Sequence, residues 1–229
     1  MSGGVSGVSA APRMSGPFKE PPPIAAPDWW AQACAHLAHK DRVMRRLIAR
    51  HGSVGLQTRG DAFLTLARSI VGQQISVKAA QSVWDRFTAL LPAIEPVAVL
   101  ALTPEAMRAA GLSARKVQYL QELARHFCQG RVRPENWPAM SDEAIISELI
   151  ALRGIGRWTA EMFLIFHLMR PNVLPLDDIG LVKAVSQSYF GGEAITRADI
   201  RDIARAWQPW CSAATWHLWR SLDPLPVTY

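Results

Sequence analysis

The sequence predicts an all-α protein. Apolar residues recur at helical spacing along most of the chain, and no alternating run of apolar and polar residues is long enough for a strand. Helix-start signals, a capping side chain followed by an apolar stretch, precede several of these segments. About 200 residues follow position 27, enough for two small helical lobes that share one core.

Residues 1–27 are predicted to be a flexible tail. They are rich in glycine, serine, alanine and proline, with three consecutive prolines from Pro21 to Pro23. They lack the hydrophobic stretch of a signal peptide, and Met14 is an alternative start site. We therefore expect the folded part of the chain to begin at residue 28.

Capping residues and prolines at the helix ends support the predicted helices. Asp28 is expected to cap the first one, Ser141 caps the helix before a glycine pair, and Pro104 suits a first helical position. Pro92 and Pro96 are expected to break the chain. The predicted helices cover residues 29–38, 41–50, 61–71, 77–90, a short segment from 103, 115–128, 142–150, 159–166, a segment near 178, 197–207 and a last helix through 219.

The run from Leu152 to Ala160 predicts a hairpin between two helices. Gly154 and Gly156 stop the first helix because glycine tolerates positive φ, and Thr159 begins the second. Backbone N–H groups at the start of that second helix form an anion site that suits a phosphate. The alternative is an ordinary glycine-rich turn, but the adjacent Arg157 and an acid further along favour the anion site.

Two adjacent acids, Asp177 and Asp178, follow the hairpin by some twenty residues. They lie after Pro175, at the mouth of the next helix. The structural alternative is helix capping, with Asp177 as N-cap and Asp178 in the first turn. A nucleic-acid anchor followed at this distance by an acid indicates an enzyme that works on DNA.

Composition suits a DNA-facing protein without proving one. The chain has 25 basic and 19 acidic side chains, a formal net charge of +6 and a pI near 9.6. No apolar run reaches the roughly 18–20 residues of a membrane span, so we expect no membrane partner. The candidate phosphate contacts are Arg115, Lys116, Arg153 and Arg157.

Cysteine usage excludes two other classes of protein. Cys34, Cys128 and Cys211 are far apart and odd in number, which indicates a reducing compartment and no disulfide framework. Three thiols are also too few for a four-cysteine iron–sulfur loop. The six histidines show no metal-binding spacing, so no cofactor is expected to be required.

Four segments, in order, resemble the helix-hairpin-helix DNA glycosylase superfamily, in its alkylation-repair branch of the 3-methyladenine-DNA glycosylase II type. These segments are residues 70–80, 111–116, 152–160 and 207–219. The resemblance implies a two-lobed all-α fold with the active site in the interlobe cleft. Some relatives carry an α/β domain before this core, but here only some sixty residues precede the match and they are predicted to be tail and helices, so no N-terminal α/β domain is expected. Lobe one is then about 28–60 plus 172–229, and lobe two about 61–171, with the hairpin at 152–158.

The resemblance implies a monofunctional DNA N-glycosylase. Such an enzyme flips and hydrolytically excises alkylated purines, 3-methyladenine and also 7-methylguanine, from double-stranded DNA and leaves an abasic site. Asp178 matches the family's catalytic acid, with Asp177 as second choice. Trp158 stands where bifunctional relatives have a lysine, so no amine nucleophile is expected. The alternatives are a glycosylase for an oxidised or deaminated base and a non-catalytic lesion-binding protein.

The resemblance also assigns the remaining site residues. Trp158, Met162 and Trp219 line the base pocket, with Met162 where one relative has a tyrosine. Gln74 is the wedge that fills the vacated space, or else a polar residue at a helix end. The predicted DNA contacts are Gln73, Gln74, Arg115, Lys116, Arg153, Gly154, Ile155, Gly156, Arg157 and Thr159.

The resemblance implies three further properties. Backbone carbonyls of Ile150, Leu152 and Ile155 are expected to hold a structural Na⁺ or K⁺ at the hairpin. The partner is double-stranded DNA that contains alkylated bases, bound by a monomer. The expected compartment is the cytoplasm, or the nucleus in a eukaryote.

Overall fold

A computed structural model describes residues 26–52, 55–58 and 61–222. The predicted tail over 1–27 lies almost wholly outside these residues, as do the ends of lobe one at 59–60 and 223–229. The described residues contain helices and no β-strand. The all-α prediction is therefore confirmed, and no sheet domain precedes the helical core in the part of the chain described.

Twelve α-helices and one 3₁₀ helix make up the described fold. They are α1 (Trp30–Lys40), α2 (Arg42–His51), α3 (Ala62–Gly72), α4 (Val77–Thr88), α5 (Pro96–Leu100), α6 (Pro104–Ala109), α7 (Ala114–Cys128), the 3₁₀ helix (Pro134–Ala139), α8 (Asp142–Ile150), α9 (Arg157–Phe166), α10 (Ile179–Tyr189), α11 (Arg197–Ala204) and α12 (Cys211–Leu222).

Most helix ends follow the predicted signals, but two do not. Ser141 caps α8 by accepting the N–H of Ala144, as expected. Asp28, however, does not cap α1, whose N-cap is Trp29 with no side-chain bond. Pro96 begins α5 instead of breaking the chain, because proline at the first helical position loses no intrahelical hydrogen bond.

The core is continuous and encloses the two helices that carry the site tryptophans. α12 is buried from Cys211 through Trp219, and α9 is buried from Thr159 through Phe166. Ser212 fixes the start of α12, since its hydroxyl donates to the Arg170 carbonyl at 2.6 Å and accepts the N–H of Val173 at 3.0 Å. Both helices are therefore held along their length before any ligand arrives.

The hairpin between α8 and α9 depends on Gly154. Its φ is +89°, a left-handed value that favours glycine, and a Cβ there would lie 2.2 Å from the Tyr119 ring on α7. Gly156, the N-cap of α9, has φ −92°, and a Cβ there would have no atom within 4 Å. Only the first glycine is therefore required by the fold, while the second leaves open space at the helix N-terminus.

Three histidine and cysteine side chains form a polar cluster inside the core. The rings of His51 and His217 stack at 5.4 Å with their Nδ1 atoms 3.1 Å apart, and His217 Nε2 lies 3.5 Å from Cys34 Sγ. Burial, reinforced by His51 and Arg220, lowers the pKa of His217 to about 3. Burial likewise lowers the pKa of His167 to about 4. These two rings are neutral in the folded protein at neutral pH.

Gly154→Ala is expected to destabilise the protein, while Gly156→Ala is not. The left-handed backbone and the overlap with Tyr119 together cost roughly 2 kcal/mol or more in free energy of unfolding. For a chain of this size, that lowers Tm by roughly 4–8 °C. Gly156→Ala is the matched control and changes the free energy of unfolding by less than about 0.5 kcal/mol. Thermal unfolding of both variants checks this, and equal Tm values would contradict it.

The free energy of unfolding is expected to decrease as the pH is lowered below about 6.5, the ordinary pKa of histidine. Above that pH His167 and His217 are neutral in both the folded and the unfolded chain, and their contribution to the free energy of unfolding is fully present. Below it the unfolded chain binds protons that His167 and His217 do not bind until about pH 4 and pH 3. At pH 5 the loss is about 2 kcal/mol for each ring.

Urea unfolding at pH 7.5 and pH 5 measures this loss. His167→Asn is expected to reduce the difference between the two pH values by about 2 kcal/mol. His39→Asn, which changes an exposed histidine on α1, leaves the difference unchanged. Because the readout is a difference, any constant destabilisation by the substitution cancels. An identical pH dependence in all three proteins would show that His167 is not the source.

Candidate active site

Asp178 occupies the N-terminus of α10. The turn after Pro175 brings its backbone N–H to the Pro175 carbonyl at 3.0 Å, and its Oδ1 accepts the N–H of Leu181 at 2.6 Å. Asp178 is therefore the N-cap. This corrects the assignment of the cap to Asp177 and places the acid side chain at the positive end of the helix dipole.

Two tryptophans also donate to the Asp178 carboxylate. Trp219 Nε1 lies 2.7 Å from Oδ1, and Trp158 Nε1 lies 2.8 Å from Oδ2. With the N–H of Leu181, the carboxylate accepts three hydrogen bonds while only 8 % of the residue is exposed. The acid is thus fixed in orientation by three helices, α9, α10 and α12.

Asp177 has a different environment. Its side chain is about half exposed and pairs with Arg197 at the start of α11. None of the hydrogen bonds from the two site tryptophans reaches it. Of the two adjacent acids, the structure brings Asp178 together with the predicted pocket residues, and it turns Asp177 towards α11.

The predicted pocket residues differ in accessibility. Trp158 has 39 % of its surface exposed, whereas Met162 and Trp219 are buried. The Trp219 ring stacks on Phe166 at 5.6 Å and 14°. Gly180 permits the approach, because a Cβ there would lie 3.1–3.2 Å from Asp178 Oδ1 and the Trp219 ring. Sequence reasoning missed Phe166 and Gly180, although the Asp-Ile-Gly pattern was a signal for the glycine.

A polar cavity of about 330 Å³ lies at the hairpin. It gathers seven of the predicted DNA contacts, and its two other residues, Ser113 and Tyr119, were missed by sequence reasoning. The lining residues are Gln73, Gln74, Ser113, Arg115, Lys116, Tyr119, Gly154, Ile155 and Gly156. Three elements that are distant in sequence therefore converge on one polar surface, which suits the backbone of a nucleic acid rather than a base.

The predicted phosphate contacts are not equally accessible. Arg153 is 68 % exposed at its side chain, 3.9 Å from Glu122. Arg157 instead pairs with Glu143 on α8 and, at 3.1 Å, with Glu161 on its own helix. Arg157 stays a predicted phosphate contact, with a side chain that is 51 % exposed and a charge that two acids compensate. Thr159, another predicted contact, is buried.

The ion pair between Arg157 and Glu143 and the burial of Glu161 shift three pKa values. The hydrogen bond between Arg157 and Glu143 raises the pKa of the arginine and lowers that of the exposed glutamate. Burial raises the pKa of the Glu161 carboxyl, although Arg157 opposes this shift. Arg157 thus joins α8 to α9 and stiffens the base of the hairpin.

The described residues show neither a metal cluster nor a membrane span. No group of three or more histidine, cysteine, aspartate or glutamate side chains among them is arranged to hold a metal ion. None of the helices in these residues is long and apolar enough to cross a membrane.

Comparison with known proteins finds similarity to DNA-3-methyladenine glycosylases. DNA-3-methyladenine glycosylase 1 of Schizosaccharomyces pombe is 30 % identical over 195 residues, which cover 81 % of this chain and 85 % of that protein. A putative DNA-3-methyladenine glycosylase of Bacillus subtilis is 28 % identical over 185 residues, 77 % of this chain. This match spans 64 % of the length of the Bacillus subtilis protein.

Two solved structures share the fold. The DNA-3-methyladenine glycosidase of Bacillus halodurans has a TM-score of 0.77 and 32 % identity, with 85 % of this chain and 89 % of that one covered. The Schizosaccharomyces pombe 3-methyladenine DNA glycosylase, in complex with abasic DNA, has a TM-score of 0.72 and 29 % identity, with 86 % and 100 % covered.

The family profile of the HhH-GPD superfamily base excision DNA repair proteins matches residues 67–209. These residues run from α3 through the hairpin and Asp178 to the loop before α12. The chain belongs to the HhH-GPD superfamily of base excision DNA repair proteins.

Proposed function

We propose that this protein is a monofunctional DNA N-glycosylase that flips and hydrolytically removes alkylated purines, 3-methyladenine and 7-methylguanine, from double-stranded DNA. The observation that carries the proposal is the Asp178 carboxylate, held by three N–H donors beside the accessible indole of Trp158. The names of its relatives, which are 3-methyladenine glycosylases, support the choice of substrate.

The proposed chemistry begins with the flipped base. An alkylated purine carries positive charge, so it gains from stacking on the electron-rich face of Trp158. The same charge makes the base a good leaving group, since it departs neutral. The sugar then becomes oxocarbenium-like.

Asp178 is suited to the positive sugar. Its carboxylate is oriented before the reaction, so it stabilises the developing charge without reorganisation or directs the attacking water. Trp158 and Trp219 direct their N–H groups at Asp178, so both rings lie beside the carboxylate. The proposed product is an abasic site.

We also propose that the hairpin holds a Na⁺ or K⁺ ion through the carbonyls of Ile150, Leu152 and Ile155. Ile150 ends α8, where the helix dipole is negative and carbonyls lack intrahelical partners. The Leu152 carbonyl accepts the N–H of Ile155 at 3.1 Å and keeps a second lone pair. Such an ion would supply positive charge for a DNA phosphate.

The proposed partner is DNA that contains alkylated bases, and the proposed state is a monomer. Two exposed arginines, Arg115 and Arg153, and the N-terminus of α9 supply the contacts to phosphate. We place the protein in the compartment that contains the DNA, which is the cytoplasm, or the nucleus in a eukaryote.

Asp178→Asn is expected to abolish excision. The wild-type protein should release free 3-methyladenine from methylated duplex DNA, as measured by chromatography of the released bases. Loss of the carboxylate charge should lower the single-turnover rate by about 10²–10³-fold or more, while binding to the duplex is retained. Asp177→Asn, which loses only the exposed pair with Arg197, should stay within about threefold of wild type.

Each other outcome of this assay contradicts a stated part of the proposal. Near-normal release of methylpurine by Asp178→Asn would overturn the assignment of Asp178 as the catalytic acid. If only Asp177→Asn loses activity, the catalytic acid is Asp177. Release of an oxidised or deaminated base in place of methylpurine indicates a different lesion. If the wild-type protein releases no base, the result indicates a non-catalytic lesion-binding protein.

The reaction is expected to proceed without a covalent enzyme–DNA intermediate. Trp158 has no amine, and the lysine at the hairpin cavity, Lys116, donates its Nζ to the Val71 carbonyl at 2.7 Å. Borohydride added during turnover should trap no protein–DNA adduct, and the strand should break only after treatment with alkali. A trapped adduct on denaturing gels would contradict a monofunctional mechanism.

A further inference from the structure

The turn between α3 and α4 holds a strained residue. Gln74 has φ +60°, a left-handed value that residues other than glycine rarely adopt, and its side chain is exposed at the hairpin cavity. Such a conformation persists only where neighbouring contacts fix it, and it is common at functional sites. The contacts on either side of Gln74 therefore show what holds the turn.

One contact comes from Lys116 on α7. The last turn of α3 has no basic residue of its own, and Lys116 Nζ donates to the Val71 carbonyl there at 2.7 Å. A cation at the C-terminus of a helix is favoured by the dipole, and the hydrogen bond is charge-assisted. Lys116 is half-buried in this contact, whereas the neighbouring Arg115 is exposed.

The other contact comes from Gln73, the C-cap of α3. Its Nε2 donates to the Gly154 carbonyl in the hairpin at 2.7 Å. Tyr119, about one helical turn after Lys116 on α7, packs on the same glycine. The first turns of α7 therefore contact both the end of α3 and the hairpin, and Gln74 lies between these two attachments.

We propose that Lys116 and Gln73 are positioning residues. Their two hydrogen bonds, Lys116–Val71 and Gln73–Gly154, form a brace that fixes Gln74 relative to the hairpin. While the hairpin holds a phosphate, the brace presents the Gln74 side chain to the duplex at a set distance. This inference rests on the proposed base-flipping function. It also reassigns Lys116 from a phosphate contact to a support of the turn.

Lys116→Met tests the brace. Methionine keeps the length and packing of the side chain but cannot donate to the Val71 carbonyl. Under single-turnover conditions with saturating enzyme, we expect methylpurine release to slow by about tenfold to a hundredfold, since small misplacements have effects of this size. Affinity for undamaged duplex should change by less than about threefold, because no phosphate contact is lost. Lys116→Arg, which can still donate, should recover much of the rate.

Three further variants separate a brace from a phosphate contact. Arg115→Met should weaken binding and reduce the slope of log affinity against log salt by about 1. Lys40→Met removes an exposed charge on α1 and should match wild type in both rate and slope. Gln73→Leu breaks the other half of the brace and should reproduce the slow release of Lys116→Met.

Insertion can be followed without excision. The probe is a duplex with 2-aminopurine opposite a stable tetrahydrofuran abasic-site analogue, and its fluorescence rises when a side chain displaces the base. We expect a rise with wild type and with Lys40→Met, and a smaller rise with Lys116→Met and Gln73→Leu at saturating protein. Thermal unfolding confirms that each variant is folded.

The outcomes distinguish the two proposals. The wild-type protein could release no methylpurine and still give the fluorescence rise, while Lys116→Met and Gln73→Leu do not. That result would support the brace and contradict the proposed substrate. If Lys116→Met gives wild-type fluorescence and release but a shallower salt slope, Lys116 is a phosphate contact and the brace is overturned. An absent rise with wild type also overturns it, since nothing is then inserted.

Discussion

The rest of the site depends on three hydrogen bonds to one carboxylate. Asp178 accepts N–H groups from the first turn of α10, from Trp158 on α9 and from Trp219 on α12. Asp178 is only 8 % exposed as a residue, and burial of a carboxylate costs several kcal/mol unless donors replace the lost water. The donors come from three helices, so the acid is compensated only when all three are packed together.

The need for N–H donors to the Asp178 carboxylate explains the positions of Trp158 and Trp219. Each indole has one N–H, and Trp158 and Trp219 both use it on Asp178. Trp219 is further held by stacking on Phe166 and by the missing Cβ of Gly180. The same rings that position the acid therefore present apolar surface beside it, and a substitution in either ring changes both properties.

The fold and the position of the hairpin were predictable from local patterns, but the partners of charged residues were not. Ordered motifs placed the hairpin and Asp178, yet two adjacent aspartates have the same capping preference. Arg197 distinguishes them, and it pairs with Asp177 only in the folded chain. Likewise, Arg157 lies beside the hairpin in sequence, while Glu143, which pairs with it, belongs to the preceding helix. Sequence spacing does not reveal such long-range pairs.

These pairings change how the protein is expected to hold DNA. Of the four cations at the hairpin that the sequence assigned to phosphates, the exposed Arg157 pairs with two acids and the half-buried Lys116 donates to a backbone carbonyl. Arg115 and Arg153 are also exposed. The internal pairs join α8 to α9 and α7 to α3, the elements around the cavity. Backbone N–H groups at the start of α9 are directional and fixed by these joints. We expect phosphate binding through these N–H groups to depend on the orientation of the phosphate more than on net charge. Delivery of a single base to Asp178, the proposed acid, would require that orientation.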